Sequence, residues 1–168
     1  MDRAVESVRR RVVEWEDQAA SARALRALSG LDFLTGILQG RIPGPPVAQL
    51  LGFAFTEVEA GRVVMALDPA EHHYNPLSTV HGGVAATLLD SVMACAVHST
   101  LPAGRGYTTL EIKINYVRAI TAATGRLRAE GKTIHVGRQV GTAEGRLVDA
   151  EGRLYVHGTT TCIILGGT

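Results

Sequence analysis

Hydrophobic positions change their period three times along this chain. Between residues 2 and 28, Val5, Val8, Val12, Trp15, Ala19 and Ala22 recur every three or four positions, with Arg9, Arg10, Arg11, Glu14, Glu16 and Asp17 on the other sides. That spacing predicts one amphipathic helix, laid on the main fold or on a partner subunit. Ser29-Gly30 ends it. The segment LDFLTGILQG at 31–40 predicts a short apolar helix or turn with Gly40 as its C-cap, and Pro43, Pro45 and Pro46 predict an extended linker. From residue 50 the period becomes two. Phe53–Glu59 and Arg62–Asp68 read as strands joined at Ala60-Gly61, and Asp68-Pro69 stops the second. A loop over 69–80 follows. Residues 83–97 are then almost unbroken small and apolar residues, a length that fits a buried helix better than a strand. After a turn region from His98 to Gly106 the alternation returns. Tyr107–Val117 places Thr109, Glu111, Lys113 and Asn115 on one face and Leu110, Ile112, Ile114 and Tyr116 on the other. Thr121–Glu130, Thr133–Asp149 (with a bulge or bend near Gly141) and Arg153–Ile164 continue it, with breaks at Gly131, Gly145 and Gly152 and a hairpin turn over 149–152.

The order is helix, two strands, long buried helix, then three or four long strands. Short turns between consecutive strands imply an antiparallel sheet. An apolar helix under a curved sheet of this kind buries the apolar faces of both, which makes the class α+β. An open edge strand suits sheet-to-sheet dimerisation. Composition narrows the picture further. Lys and Arg number 17 against 16 Asp and Glu, so the charge does not point to nucleic acid. Two cysteines, Cys95 and Cys162, make no disulfide framework and read as buried thiols. The amino end lacks the apolar stretch of a signal peptide, and the 83–97 run is too short to span a bilayer. The expectation is a cytoplasmic protein with no membrane partner.

Chemistry gathers on the buried helix. Asp90 is the one acid within it, and an ionised carboxylate among apolar neighbours is costly unless it is paired or hydrogen-bonded. His81-Gly82-Gly83 opens the helix. Two glycines leave amides uncovered at a helix start, where the first N–H groups lack intrahelical partners and the dipole is positive. Such a place can hold an anion or a developing oxyanion. Asp90 lies roughly two turns further on, too far to meet its own helix start. A second copy lying antiparallel across an interface brings the two together, which predicts a composite site in a dimer.

Asn75, His81, Gly82, Gly83 and Asp90 form the pattern N-x5-H-G-G-x7-D. With TTLEIKINYVRA at 108–119, HVGRQVG at 135–141 and DAEGRLYVHGTTTCII at 149–164, it resembles the hotdog-fold acyl-CoA thioesterases of the phenylacetic-acid-pathway type. The resemblance covers roughly residues 47–165. It divides the chain into an N-terminal helical extension and linker, 1–46, and a hotdog thioesterase domain, 47–168. It implies a long central helix wrapped by a curved antiparallel sheet. It also implies a homodimer with sites at the subunit interface, which can pair again into a homotetramer. The implied reaction is hydrolysis of an acyl-CoA thioester. Asp90 would be general base or nucleophile, Gly82 would supply the oxyanion amide, and Asn75 and His81 would orient the substrate or the water. No cofactor is implied, because coenzyme A is part of the substrate. Ser78 stands where the family usually has glycine, and Ala119 where many relatives have proline.

Several residues have a plainer reading beside the functional one. Asp90 could be a buried acid tied to a threonine for folding. His81 could merely fix its loop, and Asn75 before Pro76 could be a turn former. Thr109 could reach Asp90 from a neighbouring strand. For the coenzyme, Gly83, Thr109, Arg105, Lys132 and Arg138 are the binding candidates, with Arg146 behind them. Arginine is the better partner for phosphates, and the 135–141 segment is where the family tends to meet the coenzyme. His72 and His73, as adjacent residues, make a poor metal pair, and no metal site is expected. His98 and His157 read as structural. Two further functions stay open: an acyl-CoA binding protein without turnover, and an enoyl-CoA hydratase on the same fold. The hydratase wants an acid close before His81, where the nearest is Glu71.

Overall fold

The computed structural model describes residues 8–166. Three short helices precede the sheet: α1 (Ala19–Ala27), α2 (Gly30–Leu38) and α3 (Pro46–Leu51). Strands β1 (Phe53–Glu59) and β2 (Arg62–Leu67) lead to the long helix α4 (Gly82–His98). Strands β3 (Gly106–Tyr116), β4 (Leu127–Val136), β5 (Val140–Val148) and β6 (Leu154–Leu165) complete a six-stranded sheet in the order β1-β2-β4-β5-β6-β3. Every pairing is antiparallel. The sheet wraps α4, so the expected hotdog arrangement is the one observed.

The core explains the arrangement. From Val92 to His98 the helix is buried on every side, and Leu88, Leu89, Val92 and Met93 are fully enclosed against Met65 of β2, Leu127 of β4, Leu147 of β5 and Val156 of β6. Its first half keeps an open stripe that includes Gly83, Ala86, Thr87, Asp90 and Ser91, all half-buried or exposed. The sheet lies close beneath the helix because β4 has glycine at 131. A Cβ there would sit 2.3 Å from the Val92 carbonyl oxygen.

The structure corrects the expected elements in four places. The single helix over 2–28 is reduced to Ala19–Ala27. Residues 8–16 are not helical, and residues 2–7 of that stretch lie outside the described region. Val8, Val12 and Trp15 are 89%, 77% and 63% exposed, so their stripe finds no surface of the same chain to bury against. Instead Arg11 donates to the carbonyls of Leu50 and Gln49, and Arg9 pairs with Glu71 at 2.8 Å. The proline linker is not extended throughout, because Pro46 opens α3 at the first helical position, where its missing N–H costs nothing. Neither Gly131 nor Gly145 breaks a strand: β4 runs through the first to Val136 and β5 through the second, while the expected strand Thr133–Asp149 is split by the β4–β5 turn at residues 137–139. Finally, β3 has a bulge between Thr109 and Glu111 that shifts its alternation. Leu110, expected on the apolar face, is 60% exposed.

Helix α2 shares the main core. Leu34 is 2% exposed. The Gly30 amide donates to the Leu101 carbonyl at 2.9 Å, and a Cβ on Gly30 would strike the His98 carbonyl oxygen at 1.7 Å. Only glycine lets α2 dock on the end of α4, and that docking sets Phe33 against His98.

Candidate active site

Asp90 is half-buried on α4 and its Oδ1 accepts a 2.8 Å hydrogen bond from Thr109 Oγ1. The β3 bulge makes this possible. It turns Thr109 inward with Tyr107 before the irregularity, while Ile112 and Ile114 point inward after it. Strict alternation had placed Thr109 on the face opposite Ile112. The carboxylate thus has one donor fixing it and a second oxygen without a hydrogen bond among the described residues. It borders a cavity of about 490 Å³ roofed by α1, α2 and the Pro43–Val47 segment and walled by Phe53, Phe55, Met65 and Ala94. The site therefore offers a held carboxylate beside a mostly apolar space.

The helix start faces elsewhere. His81 caps α4, its Nδ1 accepting from the Gly83 amide at 2.9 Å, and the Val84 amide donates to the His81 carbonyl. The Gly82 amide has no hydrogen-bond partner among the described residues. Gly82 instead lines a second cleft, of about 310 Å³, with Thr79, Val80, Tyr116 and Val117. Tyr116 lies over it, its hydroxyl donating to the Gly82 carbonyl at 3.0 Å, and a Cβ on Gly82 would come within 3.2 Å of that ring. Eight residues of helix, about 12 Å, separate Gly82 from Asp90. One protomer does not bring its own carboxylate to its own free amide.

Asn75 organises the loop before the helix. Its Oδ1 accepts from the Leu77 amide at 2.9 Å and from Thr79 Oγ1 at 3.2 Å. Ser78 within that turn has φ 58°, the left-handed region that a glycine occupies without cost. The polar atoms His81 Nε2 and Asn75 Nδ2 have no hydrogen-bond partner among the described residues, so both side chains hold the loop with one atom and present another outward.

The candidate coenzyme residues fall in two places. Arg105 and Arg138 meet beside the β4–β5 turn, where Arg105 Nη2 donates to the Arg138 carbonyl at 2.7 Å. Arg105 stands two residues before Tyr107 of the cavity wall, and its buried Nε has no hydrogen-bond partner among the described residues. Lys132 and Arg146 project from the outer face of the sheet, in a cleft with Glu130, Glu144 and His157, away from the Asp90 cavity of the same protomer. The structure also adds residues that sequence reasoning passed over. His98, Tyr107 and Cys95 line the cavity, and burial pushes the Cys95 thiol up to about 12, Tyr107 well above the usual phenol value, and His98 down to about 4. His98 closes an apolar helix and reads as structural in sequence, because no local signal marks it as a wall. His73, by contrast, is structural: its ring bonds the Ala70 amide and the Leu51 carbonyl.

Residues 77–156 match the Thioesterase superfamily. A solved structure of a phenylacetic acid degradation-related protein from Ralstonia eutropha JMP134 is 31% identical, with a TM-score of 0.70, and the match covers 77% of this chain and 98% of that one. The chain belongs to the thioesterase superfamily. Curated relatives agree. A 1,4-dihydroxy-2-naphthoyl-CoA hydrolase from Escherichia coli K12 is 30% identical over 90 residues, 54% of this chain and 65% of the relative. The proofreading thioesterase EntH of Klebsiella pneumoniae is 26% identical over 103 residues, 61% of this chain and 74% of the relative. This superfamily member is a thioester hydrolase on a hotdog fold. Among its described residues no helix is long and apolar enough to cross a membrane.

Proposed function

We propose that this thioesterase hydrolyses an acyl-CoA thioester in sites shared between two copies of the chain, in the manner of the phenylacetic-acid-pathway type. Asp90 of one copy activates water as general base, or attacks the carbonyl as nucleophile. The Gly82 amide of the other polarises the thioester oxygen and stabilises the charge that develops there. The observation that carries this reading is the separation just described. A carboxylate held by Thr109 borders an apolar cavity, while the unpartnered Gly82 amide opens on a different cleft of the same protomer. Two protomers laid with their α4 open stripes together would supply both halves to one substrate.

The acyl group enters the cavity beside Asp90. Arg105 and Arg138 are placed to meet the phosphates of the coenzyme from the end of the sheet where β3 begins, and Gly83 and Thr109 border the thioester. Lys132 meets the coenzyme only if the partner protomer brings the coenzyme to the outer face. His81 and Asn75 keep the loop before α4 in the shape that presents the amide, and their outward atoms are available to the water or the substrate. Coenzyme A arrives as part of the substrate, and the reaction needs no further cofactor. We place the enzyme in the cytoplasm.

Replacing Asp90 with Asn keeps the side-chain volume and removes the base. Thiol release from a panel of acyl-CoAs is expected to fall by at least about 100-fold. Turnover equal to the native protein on its best substrate would remove Asp90 from the chemistry. Saturable coenzyme A binding with no thiol release by the native protein would instead make it a binding protein.

A further inference from the structure

The cavity beside Asp90 has a polar end that the hydrolysis itself does not use. His98 is the last residue of α4 and is only 2% exposed. Its ring is packed between Phe33, with centroids 5.6 Å apart, and Tyr107, at 5.0 Å. His98 lines the cavity beside Asp90, and no described residue hydrogen-bonds either of its ring nitrogens. The Tyr107 hydroxyl is nearly as free, with one weak contact to Cys95 Sγ at 3.8 Å. Buried polar groups normally find partners, and leaving one without is costly. Here an imidazole and a phenol lie together on the wall of an otherwise apolar space. Burial holds His98 neutral, so it presents one donor and one acceptor.

We propose that His98 and Tyr107 select acyl groups that carry a hydroxyl or oxo oxygen at the far end from the thioester. Eight residues of helix separate Asp90 from His98, about 12 Å along the axis. The acyl chain that spans this distance is medium in length, apolar in its middle against Phe33, Leu34 and Met65, and polar at its tip. The inference rests on the thioesterase reading of the Asp90 cavity, but it concerns only how the acyl group is chosen. A site built to bond such an oxygen penalises the analogue that lacks it far more than an apolar wall can penalise one that has it.

The test compares medium-chain acyl-CoAs bearing a hydroxyl or oxo group near the far end with their unsubstituted counterparts. The native protein is expected to prefer the oxygenated member of each pair by about tenfold or more in kcat/KM. His98→Phe, which keeps a flat ring between Phe33 and Tyr107, is expected to bring the ratio close to one. Tyr107→Phe removes a single oxygen and carries the same comparison should His98→Phe fail to fold. An unchanged ratio in both variants, or a native preference for the unsubstituted members, overturns the proposal. Calorimetric titration of the corresponding free acids reads the cavity without turnover. If no thioester is cleaved but the oxygenated acids still bind more tightly, and lose that advantage in the variants, the selectivity stands and hydrolysis falls. Equal binding of both acids overturns the selectivity whatever the turnover.

Discussion

Ser78 shows how one residue records a constraint inherited from the backbone. Its φ of 58° sits where an L side chain is penalised. The turn around it is held by Asn75, whose carbonyl accepts from the Ser78 amide at 3.1 Å and whose amide donates to the Thr79 carbonyl at 2.8 Å. The hydrogen bonds keep the turn closed and the strain stays. Ser78→Gly is expected to raise stability by about 0.5–1 kcal/mol, the relief of left-handed strain less the extra flexibility glycine has when unfolded, as read by urea denaturation. His98 is the second residue-scale case. Burial depresses its pKa to about 4 from an ordinary 6.5. Between those values the unfolded chain binds the proton and the folded one does not, so stability is full above about pH 6.5 and is lost as pH falls toward 4. The ring packs against Phe33 and the neutral Tyr107, which offer no charge to offset protonation. The loss should reach about 3 kcal/mol at the acid end. His73 is shifted in the same direction by burial and adds to the slope. Melting curves from pH 7 to 4 should therefore be shallower in His98→Phe than in the native protein, without becoming flat.

Among the elements, the packing of α4 on β4 is tightly constrained by glycine. Gly131 pairs with Gly145 of β5, which pairs with Gly158 of β6. Side chains at the first two would meet Val92 and Met93 of the helix. Gly131→Ala must push helix and strand apart, because the obstruction is backbone rather than the end of a flexible side chain. The expected cost is about 2 kcal/mol in denaturant midpoint analysis, with the Asp90 to Thr109 contact loosened as a consequence. The glycines at 131 and 145 read as strand breaks in sequence because local propensity was the only guide there; their reason is the helix that crosses above them. The same distinction separates α3 from the linker around it. Three prolines predict extended chain, yet Pro46 starts a helical turn once β1 gives that turn something to pack on. The Leu110 bulge is the element-scale feature with the largest effect on the site, since it decides which β3 side chains point at the cavity.

For the whole molecule, the proposed sharing of the site between two copies can be tested by mixing. Asp90→Asn removes the carboxylate. Gly82→Pro removes the N–H at the first helical position, where proline's φ is acceptable, although its ring must also displace Tyr116. Each variant alone is expected to be inactive. Unfolded and refolded together, they form mixed dimers in which one site has both native parts. About a quarter of native activity should return, since half the dimers are mixed and each has one intact site of two. Recovery near zero, with mixed dimers verified by native mass spectrometry, would place both groups in the same protomer's site. β3, eleven residues with one strand neighbour, is an edge strand along which the proposed dimer would join.

The class and order of the main elements are legible in the sequence, because a period of two and a long apolar run are local consequences of which faces must be buried. The sequence also singled out Asp90 and Gly82, since a lone acid in an apolar helix and bare glycines at a helix start are costly or exceptional wherever they occur. What these residues face depends on how the elements pack. A bulge turned Thr109 toward Asp90, the docking of α2 made His98 part of a cavity wall, and an amphipathic stripe over Val8, Val12 and Trp15 stayed unhelical for want of a surface in its own chain. Each depends on contacts between segments far apart in sequence, and no local pattern contains that information.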